Sequence, residues 1–237
     1  MIPESLRDAF QLIANGDPYT LSVIYLSLKV AAASLGLGIL IGLPIGLGLG
    51  MTRFAGRLGF LILVNSAMGL PPVVAGLLTF MVLRNQGILG GANLLFTPEA
   101  MVYAQVPLAA PLVAGITMAA IAGVPQDLRL QVRGLGAGRL QEAWILMKQT
   151  RSSLLAACIA GFGVTISEVG AILIVGGNLL LGGQNYTRTM TTAIVLETRL
   201  GNFPRALAFA LILFTLIVLV NVFLTRAQLA KAPKWER

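Results

Sequence analysis

The chain has 237 residues, of which 57% are hydrophobic and only 11% charged, too few to cover a water-facing surface, since soluble domains carry about 25% charge. Its net charge of +8 is carried by basic residues that mostly sit in short segments between apolar stretches, and it has no histidine, which argues against a nucleic-acid-binding face and a conventional His-ligated metal site. The composition fits an all-α integral membrane protein forming one transmembrane domain over residues 1–237.

Residues 1–19 read as a short surface helix, with Leu6, Phe10 and Ile13 at helical spacing and a break at Asp17-Pro18. The acidic residues among them do not suit a cleavable leader, so the first span is expected to direct insertion itself. That span starts within 20–30 and ends near Met51, with 23 uncharged residues between Lys29 and Arg53. A second span covers about 58–83, where 26 residues lie between Arg57 and Arg84. Residues 84–98 form a Gly- and Asn-rich loop. A third span covers about 99–121, inside 27 uncharged residues from Ala100 to Gln126. Residues 124–151 are the most polar internal stretch, and 125–133 and 139–149 each suit a short helix. A fourth span covers about 152–177 and contains Glu168. Residues 178–203 form a second long loop, a fifth span covers about 204–225, and a basic tail follows. About 20 apolar residues cross a hydrocarbon layer of about 30 Å, so each uncharged stretch suffices. The uncharged stretch 169–187 would add a sixth span if it made a re-entrant or second crossing.

The basic residues set the orientation. With the N-terminus outside, 11 of the 17 lysines and arginines fall in inside segments and 5 outside, with Lys29 unassigned. The expectation is a multi-pass protein of a bacterial or archaeal cell membrane, with its N-terminus outside and its C-terminus cytoplasmic.

Several residues carry possible chemistry. Gly36, Gly38, Gly42, Gly46, Gly48 and Gly50 place small residues along span one, which lets helices approach closely in lipid. Pro44 and the pair Pro71 and Pro72 remove helical hydrogen bonds, as happens where freed groups face protein or water. Glu168 within an apolar span must either be buried against a partner or face an aqueous cavity, beside Gly163 and Gly170. Arg188 lies among Tyr186, Thr187, Thr189, Thr191 and Thr192. A guanidinium beside hydroxyls suits either a tetrahedral oxyanion or the rim of an extracytoplasmic partner. No phosphate-binding Gly-x-x-x-x-Gly-Lys run exists, and without histidine no nucleophile–base–orienter set assembles. The chain by itself therefore reads as non-enzymatic, with no catalytic residue and no metal site.

Several blocks carry a family resemblance. They are Leu70–Leu77, the run Leu94–Met101 with Ala104 and Gln105, Ile166–Ala171 followed by Val175–Asn178, and Thr187–Ile194 with Leu196, Glu197 and Thr198. Together they resemble the permease subunits of ABC importers of the molybdate/sulfate/tungstate group, most nearly its tungstate branch. In the polar segment 124–149, Leu130, Gln131 and Val132 stand where that family has Glu-Ala-Ala. Gly136, Ala137 and Arg139 stand at its glycine segment, so the signature is degenerate here.

The resemblance implies an ABC importer permease fold that translocates tungstate or a similar oxyanion delivered by an extracytoplasmic binding protein. It implies a homodimer in membrane lipid with two cytoplasmic ATPase subunits, which bind the ATP and magnesium, and no cofactor on this chain. It also implies that Arg133, Gly136, Ala137, Arg139 and Glu142 couple to the ATPase. Pro71, Pro72, Glu168 and Gly170 would then line the translocation path or its gate, and Arg188, Thr189 and Thr191 would meet the anion or the binding protein. The rival from another class is a secondary transporter or channel driven by an ion gradient, against which the polar segment 124–149 argues.

Overall fold

In the computed structural model, Arg7, Gln11 and residues 16–231 are described. The surface helix expected from Leu6, Phe10 and Ile13, and the tail residues Lys234 and Arg237, fall outside the described residues. Helix α1 runs from Pro18 to Met51. Asp17 starts it, its carboxylate accepting from the Thr20 N–H at 3.0 Å and the Thr20 hydroxyl at 2.9 Å. The helix passes through Pro44 without ending. Helices α2 (Arg57–Met68) and α3 (Pro72–Leu83) follow, then α4 (Pro98–Ala122). Two short polar helices, α5 (Gln126–Gly134) and α6 (Arg139–Gln149), lead into α7 (Arg151–Ser167) and the seven-residue α8 (Gly170–Gly176). A two-stranded antiparallel hairpin pairs Leu180–Leu181 (β1) with Gln184–Asn185 (β2). Helices α9 (Met190–Arg199) and α10 (Phe203–Lys231) complete the chain.

The central seam is α1 against α4. The two helices run parallel, since Gly38 meets Ala109 at one level and Gly50 meets Ile121 further along. A methyl on Gly38 would lie 2.7 Å from Ala109 Cβ, one on Gly46 2.5 Å from the Ala114 carbonyl, and one on Gly50 2.8 Å from Ile121 Cβ. Only hydrogen fits, so the backbones touch, and dispersion contacts replace the hydrophobic drive that lipid cannot supply. Gly36 and Gly48 face open space, so four of the six glycines in this helix make the seam.

Two expected spans prove to be broken. The stretch 58–83 bends by 103° between α2 and α3. Pro72 opens α3, cannot donate a helical bond, and holds the residue before it, Pro71, extended at ψ 130°. The stretch 152–177 is interrupted at Glu168 and Val169, where Glu168 leaves the helix at ψ 136°. Among the described residues, three helices are long and apolar enough to cross a membrane, and up to five crossings result if each bent pair counts as one. One of those pairs joins α6 to α7 through a 75° bend. Because α6 carries Arg139, Glu142 and Lys148, the apolar crossing is better assigned to α7, about 26 Å long at 1.5 Å per residue. The stretch 169–187 makes no sixth crossing, because α8 is only about 10 Å long and a hairpin follows it. The long loop expected over 178–203 holds a ten-residue helix, α9.

Candidate functional site

The two breaks come together. Helix α3 lies against α8, where a methyl on Gly76 would sit 2.6 Å from Ala171 Cα and one on Gly170 2.8 Å from Val73 Cγ2. Interrupting a helix in an apolar surrounding exposes backbone groups that must be satisfied. Here side chains do it. The Glu168 carboxylate accepts from the Ala171 N–H at 2.9 Å and so caps α8, while the Glu168 carbonyl accepts from the Thr191 hydroxyl at 2.8 Å. The Gln105 amide, 1% exposed on α4, donates to the Thr165 carbonyl at 2.8 Å. Glu168 is 7% exposed. In this conformation it therefore faces its own chain and not an open cavity. On the same broken elements Pro71 and Pro72 are exposed, as are the polar residues Asn65, Ser66 and Ser167.

Residues 187–192 form a buried knot at the end of the molecule where α1 begins. The Thr187 hydroxyl donates to the Gly176 carbonyl at 2.6 Å and accepts from the Leu179 N–H at 2.8 Å. Thr189 caps α9, and its hydroxyl lies 3.0 Å from that of Thr191. The Thr192 hydroxyl reaches Asn178 Oδ1 at 3.0 Å, and the Met190 N–H donates to the Ser27 hydroxyl of α1 at 2.7 Å. Arg188 is fully engaged. It donates to the Tyr19 hydroxyl at 2.7 Å, to Asn178 Oδ1 at 3.2 Å and to the Asn178 carbonyl at 3.3 Å. Its guanidinium also stacks 5.8 Å from the Tyr19 ring centroid, as does that of Arg205. The hydroxyls and the guanidinium are thus turned toward backbone and neighbours within the chain.

At the opposite end, α5 and α6 form a hairpin. Arg133 grips Glu142 with both carboxylate oxygens, Nε lying 3.1 and 3.0 Å from them and Nη2 2.9 Å from Oε1. This bond and the charge of Glu142 hold the Arg133 guanidinium above its usual pKa. Glu142 is buried, so the pair fixes the angle between the helices. Gly136, with φ +81°, and Ala137 make the turn, and Arg139 opens α6 on the exposed side. The crest is apolar: Leu135 and Leu140 are each 88% exposed and Trp144 59%, around a shallow hollow lined also by Gly136, Ala137, Gln141 and Ile145.

Residue reading therefore located three clusters, and the structure brings the members of each together. Glu168 and Gly170 lie beside α3, Thr189 and Thr191 lie beside Arg188, and Arg133 meets Glu142. It missed Gln105 and Arg129. Gln105 is polar in the middle of an uncharged span, which was a usable signal. Arg129 sits among many charges in its segment and carries no signal that separates it from them.

A helical bundle with one parallel, glycine-lined seam, two broken spans and a protruding polar hairpin defines a membrane-embedded transport subunit. The chain belongs to the family of binding-protein-dependent transport system inner membrane components, whose profile matches residues 42–231. It is similar to a "Probable anion ABC transporter permease protein" of Haloferax volcanii, 39% identical over 89% of this chain and 92% of that one. It is also similar to the tungstate uptake system permease protein TupB of Peptoclostridium acidaminophilum, 31% identical over 96% of this chain and 98% of that one. In fold it matches the inward-facing MetNI methionine ABC transporter, with a TM-score of 0.74 and 16% identity over 91% of this chain and 97% of that one. The protein is thus a multi-pass inner-membrane permease subunit.

Proposed function

We propose that this chain carries tungstate or a similar tetrahedral oxyanion inward as the membrane half of an ATP-driven importer. Two copies line the path, two ATPase subunits dock on the α5–α6 hairpins, and a binding protein delivers the anion at the end where α1 begins. The observation that carries this reading is the apolar crest of Leu135, Leu140 and Trp144 on a hairpin otherwise studded with charge. Exposed apolar side chains at a polar end mark a protein-docking surface, and the Arg133–Glu142 clamp makes the hairpin stiff enough to transmit force. The exposed polar side chains of Asn65, Ser66 and Ser167 on the broken elements support a path there. The N-terminus is then outside and the tail cytoplasmic, which agrees with the distribution of lysine and arginine. The similarity to anion and tungstate permeases favours an oxyanion cargo.

The test is co-expression with the cognate ATPase and binding protein, followed by tungstate uptake into proteoliposomes. ATP-dependent uptake that is abolished, together with ATPase capture, by Leu140→Asp or Trp144→Asp is expected. Uptake by the chain alone, driven by an ion gradient, would falsify the reading.

A further inference from the structure

Helix α5 follows α4 after three residues and packs Leu128 against the end of α4, and one side chain hydrogen-bonds it to α1 as well. Arg129 points back from α5 toward the ends of the glycine-seamed pair. Its Nη1 donates to the Gly50 carbonyl of α1 at 3.3 Å, and its Nη2 donates to the Ile121 carbonyl of α4. Both acceptors lie in the last turn of a helix, where the dipole favours a cation, and the Ile121 carbonyl also accepts from the Val124 N–H at 3.2 Å. One planar guanidinium thus spans the ends of two helices that pack as one body. The third nitrogen, Nε, is buried with no partner among the described residues. An ammonium carries the same charge but lacks the fork that reaches two carbonyls at once.

The other arm of the hairpin connects differently. Helix α6 runs into α7 through the 75° bend at Thr150, whose hydroxyl donates back to the Leu146 carbonyl at 2.9 Å. Leu146 is fully buried with Ile121 and Val124 against Leu47, Met51 and Leu128. The hairpin therefore has two outputs. Through α6 it moves α7, and through Arg129, beside the packing of Leu146 and the chain link to α4, it moves α1 and α4 together.

We propose that Arg129 is a positioning residue for energy coupling, transmitting movement of the docked hairpin to the α1–α4 pair. This rests on the ATPase-docking reading above. Without the guanidinium, the apolar cluster around Leu146 still holds the hairpin in place, so docking survives while the push on α1 and α4 loses its directional, hydrogen-bonded part. The effect is a loss of transport per ATP hydrolysed, which a purely structural helix cap would not produce.

The experiment uses the complete transporter in proteoliposomes, with wild type, Arg129→Lys, Arg129→Gln and, as a control, Arg53→Lys at an exposed basic position of the same end. Three quantities are read: ATPase subunits captured per permease, ATP hydrolysed, and tungstate accumulated per ATP. Arg129→Lys and Arg129→Gln are expected to keep capture and hydrolysis and to lose about three- to tenfold in tungstate per ATP, within the roughly two- to thirtyfold by which residues between coupled sites act. Arg53→Lys is expected to match wild type. An unchanged ratio in both Arg129 variants overturns the proposal. An equal loss in Arg53→Lys also overturns it, by tracing the effect to any basic change at that end. Failure of both Arg129 variants to assemble overturns it too, leaving only a folding role. If wild type itself captures no ATPase, it is the docking reading that falls.

Discussion

Replacing Gly46 by alanine adds one methyl where the α1–α4 seam has no room. The new carbon would lie 2.5 Å from the Ala114 carbonyl and 2.7 Å from Thr117 Cβ. The first of these is backbone, which cannot swing aside, so the helices must separate. Overpacking of this kind costs about 1–3 kcal/mol. Against it stands the gain of about 0.5–1 kcal/mol from alanine over glycine within a helix. Gly48, two residues on, supplies the control, because a methyl there meets nothing within 4 Å and only the gain remains. The two variants therefore differ by the overpacking term alone. At about 2–4 °C per kcal/mol for a chain of this size, Gly46→Ala should melt about 2–12 °C below Gly48→Ala. Thermal unfolding of the detergent-purified protein, followed by fluorescence-detected size-exclusion chromatography, reads this difference. Equal melting temperatures would refute the reasoning, since they would mean that the helices do not touch along this face.

At the break in the fourth span, Glu168→Ala removes the acceptor for the Ala171 N–H and should cost about 0.5–2 kcal/mol, as loss of a helix cap does. Glu168→Gln keeps an acceptor oxygen and should retain stability within a few tenths of a kcal/mol by the same comparison. If the glutamine variant melts normally but carries no tungstate, the negative charge itself acts in the path. Arg188→Lys should lower the melting temperature and reduce uptake equally at limiting and saturating tungstate, because the lysine cannot hold Tyr19 and Asn178 together. A defect confined to limiting tungstate would instead place the guanidinium on the anion.

Class, approximate spans and the polar hairpin were all legible without coordinates. Uncharged stretches of 20 to 27 residues have few places to go other than hydrocarbon, and the expected helix at 139–149 coincides with α6. The pair Pro71 and Pro72 announced one break, because a missing donor is a local property. The break at Glu168 was not legible. No proline precedes it, and it exists because Gln105 from α4 and Thr191 from α9 satisfy the opened backbone. Arg188 taught the same lesson in reverse. Its neighbouring hydroxyls looked available for a ligand, yet the fold turns them onto carbonyls, amides and one another.

By itself the order of residues determined where the chain meets lipid and where it meets water, since that partition depends on the free energy of transferring each segment. The tertiary structure decided which glycines form a seam, which carboxylate closes a break and which arginine joins the hairpin to the bundle. Those are matters of distance between residues far apart in the chain. Arg129 lies 79 positions from the Gly50 carbonyl it reaches, and no local pattern encodes that meeting.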